Sequence, residues 1–283
     1  MASIQWQRER IRERMERAQL DRIAPAILEL VRSSIRLNLG EPSSEAVTRL
    51  GGTPNLPEDI PWPLRRNGDP HSFIAQVDLA RLEPIEGLPL PASGSLFFFC
   101  DSVDIPAGFN PSDRDGFKVI YSASPLSENA LCPTPRRLSE EQVFKGFTLN
   151  PKFELVSPPW RGNAIARLQL SESNLDKYAS LFNIDQTPHR IGGYPEIIQG
   201  DDLELTSELV LHGIPCGDAA GYQYGRIHGL GAGATDWRLL MQIDSQEEAG
   251  MMWHDVGRLF FMMREQDLEN LRFDQAWMGM QSS

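Results

Sequence analysis

Phe73-Ile74-Ala75-Gln76-Val77-Asp78 and Leu239-Leu240-Met241-Gln242-Ile243-Asp244 are two spellings of one strand. In each, Gln and Asp fall two apart on one face of the strand, while Phe73, Ala75 and Val77, or Leu239, Met241 and Ile243, fall on the other, the period of two expected of a strand with one face in a core. Their surroundings match in order as well. Gly51-Gly52-Thr53-Pro54 precedes the first and Gly192-Gly193-Tyr194-Pro195 the second, while Gly94-Ser95-Leu96-Phe97-Phe98 follows the first and Gly257-Arg258-Leu259-Phe260-Phe261 the second. The Gln-to-Gly spacing is 18 residues in one copy and 15 in the other, whereas the Gly-Gly-to-Gln spacing grows from 25 to 50, which puts an insertion within residues 196–237. The pattern predicts an internal duplication and an α+β fold. Two mostly antiparallel sheet units would be related by a pseudo-two-fold axis, with N-terminal helices before them and a helix between the repeats. Repeat one then spans about 48–121, a connecting segment 122–188 and repeat two 189–283, all within a domain of residues 41–283 behind a helical segment of residues 1–40.

Outside the repeats the reading is local. An Arg/Glu-rich first helix carries a thin stripe of Ile4, Ile11, Met15 and Ala18, with Glu and Arg at ion-pair spacing. The recurrence of Ile23, Ile27, Leu30, Val31 and Ile35 predicts a second helix running to a stop at Gly40 and Pro42. Gly116-Phe117-Lys118-Val119-Ile120-Tyr121 reads as a strand, and so does Ala164-Ile165-Ala166-Arg167-Leu168-Gln169-Leu170. Ser171 then caps a helix carrying Leu175, Tyr178, Ala179 and Phe182.

The 283 residues hold 27 Lys+Arg against 39 Asp+Glu, a net charge of −12, which disfavours nucleic acid and anionic lipid and favours a basic partner. No stretch reaches membrane-span length and no signal-peptide core opens the chain, so a cytoplasmic protein is expected. Cys100, Cys132 and Cys216 have neither disulfide nor metal spacing.

Gly51-Gly52-Thr53-Pro54-Asn55-Leu56-Pro57 with Trp62-Pro63, Phe73-Ile74-Ala75-Gln76-Val77-Asp78-Leu79, Gly94-Ser95-Leu96-Phe97-Phe98-Phe99, Gly193-Tyr194-Pro195 with Gln199-Gly200-Asp201, and residues 237–267 resemble, in that order, the YwqG-like family, bacterial proteins of a domain of unknown function, over about residues 35–283. His254 stands where that family commonly has glycine, and Met262 where an aromatic is commoner. The resemblance implies an α+β fold with a duplicated sheet unit and no settled reaction. Some relatives keep company with toxin systems.

Two functions follow as expectations. In the first, Gln76 with Asp78 and Gln242 with Asp244 meet in a cleft between the repeats and bind a small polar or cationic ligand, as a binder or an enzyme. The competing structural role has each Asp accepting N–H groups at the turn after its strand and each Gln satisfying a buried backbone group. In the second, a non-enzymatic acidic protein neutralises a basic, toxin-like partner as an immunity protein would, through a loop bearing Tyr222, Tyr224, Arg226 and His228. Residues 225–234 are Gly-rich but lack the strand-to-helix setting of a phosphate loop, and read as a loop tip. Asp201, Asp202, His254 and Asp255 could join Asp244 on a divalent ion, but their spacing is not that of a metal motif; neither a metal nor a cofactor is expected.

Overall fold

The computed structural model describes residues 2–43, 47–124, 131–182, 189–200 and 202–283, apart from the side chains at positions 2, 3, 226 and 227. In chain order the helices are α1 (Ala2–Arg17), α2 (Ala24–Glu29), α3 (Asn163–Ala166), α4 (Glu172–Ala179), α5 (Leu203–Leu211), α6 (Ala219–Ile227) and α7 (Glu265–Glu269). The strands are β1 (Arg32–Pro42), β2 (Arg49–Leu50), β3 (Ser72–Asp78), β4 (Ser95–Cys100), β5 (Phe117–Ser122), β6 (Phe147–Val156), β7 (His189–Gly192), β8 (Trp237–Asp244), β9 (Arg258–Arg264) and β10 (Trp277–Gln281). All ten join one antiparallel sheet in the order β10-β9-β8-β7-β1-β6-β2-β3-β4-β5. Its twist carries the outer strands toward each other, so that Phe117 and Trp277 meet edge to face at 5.3 Å and Trp277 donates to the Gly108 carbonyl at 2.9 Å. The sheet is therefore a nearly closed barrel.

Alternation fills the barrel. Ala75, Val77, Leu96 and Phe98 from one side and Met241, Ile243, Leu259 and Phe261 from the other share its core, with the Phe98 and Phe261 rings 5.0 Å apart. Two smaller clusters lie against the outside: Leu56, Phe73, Phe97 and Phe99 under Trp62, and Met15, Leu20, Ile27, Ile165 and Tyr178, where α1 and α2 pack on α3 and α4. The strands at 72–78, 95–100 and 117–122 and the Ser171-capped α4 lie where the pattern put them; Ser171 Oγ accepts from Asn174 N at 3.3 Å. The ion pairs of α1 form at 3.0 Å between Glu9 and Arg12 and 3.4 Å between Glu13 and Arg17.

Three local expectations fail. The second helix stops at Glu29, and Arg32–Pro42 is a strand. Ile35, Leu37 and Leu39 alternate with Arg36 and Asn38, and β1 is hydrogen-bonded on both sides, to β6 and β7, which outweighs a helical spacing supported only by local contacts. Residues 164–170 form the end of α3 and a turn rather than a strand, because Ile165, Leu168 and Leu170 all pack on the small helical core and no strand among the described residues pairs with the segment. Residues 225–234 are not a loop tip: α6 and a 3-10 helix over Leu230–Asp236 cover them. A Cβ at Gly225 would lie 2.3 Å from Leu209 and one at Gly233 2.2 Å from Glu208 Oε1, so these glycines permit close packing on α5.

Candidate functional site

The site begins with the turn after β7. Gly192 and Gly193 take φ of +70° and +76°, left-handed values open to glycine, and swing Tyr194-Pro195-Glu196 back across the outer face of the sheet. Gln242 holds the returning chain by accepting from Glu196 N at 2.8 Å. The other half repeats this arrangement: Gly51 and Gly52 have φ of +62° and +75°, and Gln76 accepts from Asn55 N at 2.8 Å. The strand registers agree too. Arg49 faces Gln76 as Arg190 faces Gln242, and both β3 on β4 and β8 on β9 slip register one position after the aligned Phe73 and Leu239.

The two Gln-x-Asp pairs do not meet. β3 and β8 are separated by four strands, about 24 Å along the sheet at about 4.8 Å per strand. Gln76 and Gln242 are fully buried in hydrogen bonds to their own turns, which is the structural role. Asp78 accepts from Ala80 N at 3.1 Å and pairs with exposed Arg81 at 3.3 Å. Of the four residues, Asp244 lines the cavity that matters.

That cavity measures about 670 Å³ and lies between the outer face of the sheet and the small helical core. Its roof comes from α1 (Ile11, Arg14, Met15), the 157–161 segment with Trp160 and Arg161, and the end of α4 with Tyr178 and Phe182. Its floor is a chain of alternating charges across five neighbouring strands. Arg36 Nε donates to Glu154 at 2.9 Å, Arg190 reaches Glu154 at 3.2 Å and Glu196 at 2.7 Å, and Arg258 reaches Glu196 at 3.7 Å and Asp244 Oδ2 at 3.0 Å through Nε. Arg36 and Arg190 face each other in the β1–β7 ladder, a like-charge opposition that Glu154 relieves by binding both. Burial lowers the Arg190 pKa, opposed by Glu196 and Glu154, and its Nε is buried with no hydrogen-bond partner among the described residues. Beside Asp244, buried His189 has its pKa lowered by desolvation. Its Nδ1 accepts from Asp244 N at 3.2 Å, which puts the proton on Nε2, facing Gln246 Oε1 at 3.1 Å.

The first half places an amide where the second has the Glu196 carboxylate. Arg49 donates to Asn55 Oδ1 at 2.7 Å and to the Thr53 carbonyl, and Asn55 occupies the place that Glu196 holds in the second half. Arg36, Glu154, Arg190, Glu196 and Arg258 were not singled out from the sequence. The available signal was a charge set within apolar strands, with Arg258 and Glu196 at the positions that align with Ser95 and Asn55.

The remaining expected residues lie elsewhere. Tyr222 is half-buried, its hydroxyl 2.7 Å from Thr206 Oγ1, while exposed Tyr224 stacks on His228 at 4.1 Å; both tyrosines sit on a helix rather than a loop, and the Arg226 side chain is outside the described residues. Asp202 caps α5, His254 and Asp255 are exposed, Asp201 is outside the described residues, and among the described residues no three His, Cys, Asp or Glu side chains could hold a metal ion together. No helix among them is long and apolar enough to cross a membrane.

A family model described as a domain of unknown function, DUF1963, matches residues 48–282, which include every strand but β1 and every helix but α1 and α2. No curated protein matches the chain.

Proposed function

Because the chain belongs to the DUF1963 family, a domain of unknown function, its role has to be argued from its own cavity, and we propose that it is a cytoplasmic, non-enzymatic protein that binds a small organic molecule there. The observation that carries this reading is the cavity itself, in which a six-member ionic chain across five strands lies beneath a roof bearing Trp160, Tyr178 and Phe182. A volume of about 670 Å³, with aromatic walls and a few fixed polar groups, suits a drug-sized ligand. Asp244 is the one expected ligand-binding residue kept in this role.

The test is a ligand-observed NMR screen of a fragment set. Hits should bind one per chain and weaken about tenfold on Trp160→Ala, the loss of a stacking wall, while Tyr224→Ala on the remote α6 leaves them unchanged. A screen without hits, or hits indifferent to Trp160→Ala, overturns the reading.

We also infer that the two halves are copies of one unit related by an axis between β1 and β6, and that the family is the one YwqG-like proteins form. The mirrored strand order on either side of that pair, the matched register slips and the paired Gln-to-turn bonds support the first inference. A second function, the neutralising of a basic protein, draws support from the net charge of −12 and the exposed Tyr224–His228 pair. It requires a salt-sensitive complex with a basic protein encoded beside this one, lost on Tyr224→Ala; no complex with any such neighbour ends it.

A further inference from the structure

We propose, building on the binding role of the cavity, that its ligand is an organic anion with a flat apolar body. In a chain with twelve more acidic than basic side chains, this cavity reverses the balance. Five arginines line it, Arg14, Arg36, Arg161, Arg190 and Arg258, against the three carboxylates of the ionic chain.

Those carboxylates are already committed. Glu154 is shared by two arginines, Glu196 by two, and Asp244 takes Arg258 together with the N–H of Ser245 at 2.9 Å. A cationic ligand would have to displace a buried guanidinium, at the cost of stranding its charge. The two arginines of the roof differ. Among the described residues Arg14 donates to the Leu181 carbonyl, and Arg161 donates to the Ile198 carbonyl at 3.2 Å while stacking 4.4 Å above Trp160. A carbonyl accepts a hydrogen bond without neutralising the charge, so both guanidiniums, on exposed residues at the rim of the cavity, keep a positive potential that an entering anion meets and that salt screens. Between these donors the aromatic walls present faces for a planar body.

Two dyes with the same ring system separate charge from shape: anilinonaphthalene sulfonate and uncharged phenylnaphthylamine. The sulfonate should bind once per chain with enhanced, blue-shifted emission, and phenylnaphthylamine about tenfold more weakly. The pair Arg14→Gln with Arg161→Gln should cost the sulfonate about tenfold in affinity and leave phenylnaphthylamine unchanged, while Arg14→Lys with Arg161→Lys retains most of the sulfonate binding. If the Gln pair fails to fold, salt decides on the unaltered protein: a tenfold rise in sodium chloride must weaken the sulfonate and spare the neutral dye. Equal affinity for the two dyes, a Gln pair that keeps sulfonate affinity, or salt that affects neither dye overturns the anion assignment and leaves the cavity as a binding site. If neither dye binds, or both bind Trp160→Ala unchanged, the cavity reading fails and the anion assignment with it.

Discussion

Asp78 and Asp244 end the same motif, and the structure gives them unequal energetic roles. Asp244 is buried, with 4% of its side chain exposed, and binds Arg258, itself 10% exposed, through Nε and Nη2. Asp244→Ala takes from the buried Arg258 guanidinium its close carboxylate and leaves it only that of Glu196, at 3.7 Å, a loss of about 3–5 kcal/mol. At about 2 °C per kcal/mol for a chain of this size, Tm should fall by about 6–10 °C. Asp78 is capping a single 3-10 turn and meeting an arginine that is 60% exposed, so Asp78→Ala should cost only about 1 kcal/mol, or about 2 °C. The decisive variant is Asp244→Ala with Arg258→Met, which removes both buried charges and leaves Glu196 with Arg190. It should recover at least about 2 kcal/mol of the single-variant loss. Urea unfolding of the unaltered protein, of the single variants Asp78→Ala, Asp244→Ala and Arg258→Met, and of the double variant, followed by circular dichroism, measures each value and the coupling between Asp244 and Arg258. Equal losses at the two aspartates, or a double variant no better than the sum of its parts, would refute the claim that Asp244 acts through Arg258.

The remaining predictions concern pH and backbone. Burial lowers the His71 pKa to about 4 against the pull of Asp101 and Asp115, so as pH falls from 6.5 toward 4 the unfolded chain takes up a proton that the native state refuses, and stability drops by up to about 3 kcal/mol. Glu204 runs the other way: burial, then Asp202, raises its pKa to about 7, and stability declines as pH rises from 4.5 to 7, by about 2 kcal/mol after allowance for its half-buried position. The two slopes oppose each other between pH 4.5 and 6.5, and pH-dependent urea melts of Glu204→Gln and His71→Phe should each reveal the slope of the other residue. His254 and Val256 hold φ of +51° and +48° on exposed backbone, so glycine at either site should stabilise the protein by about 1 kcal/mol, read as a higher urea midpoint. Gly193→Ala should do the opposite, losing about 2–4 kcal/mol in the same melts, because its Cβ would lie 2.6 Å from Val156 and 2.9 Å from Ser34 at a φ of +76°.

Where burial repeats along the chain, local pattern alone was enough. The apolar runs of β3, β4 and β8, the Ser171 cap, the ion pairs of α1 and the paired Gly-Gly and Gln-x-Asp marks follow from periodicities and turn chemistry that act over a few residues. Two neighbours decided what that pattern could not: β1 is a strand because β6 and β7 complete its hydrogen bonds, although Ile23 through Ile35 can be read at helical spacing. The site lay further out of reach. Arg36, Glu154, Arg190, Glu196, Asp244 and Arg258 come from sequence positions more than two hundred residues apart, and each is an ordinary charge until the sheet lays them side by side. Local sequence wrote the strands and the turns; adjacency across the sheet, set by backbone pairing between distant segments, decided which charges meet and where a cavity is left above them.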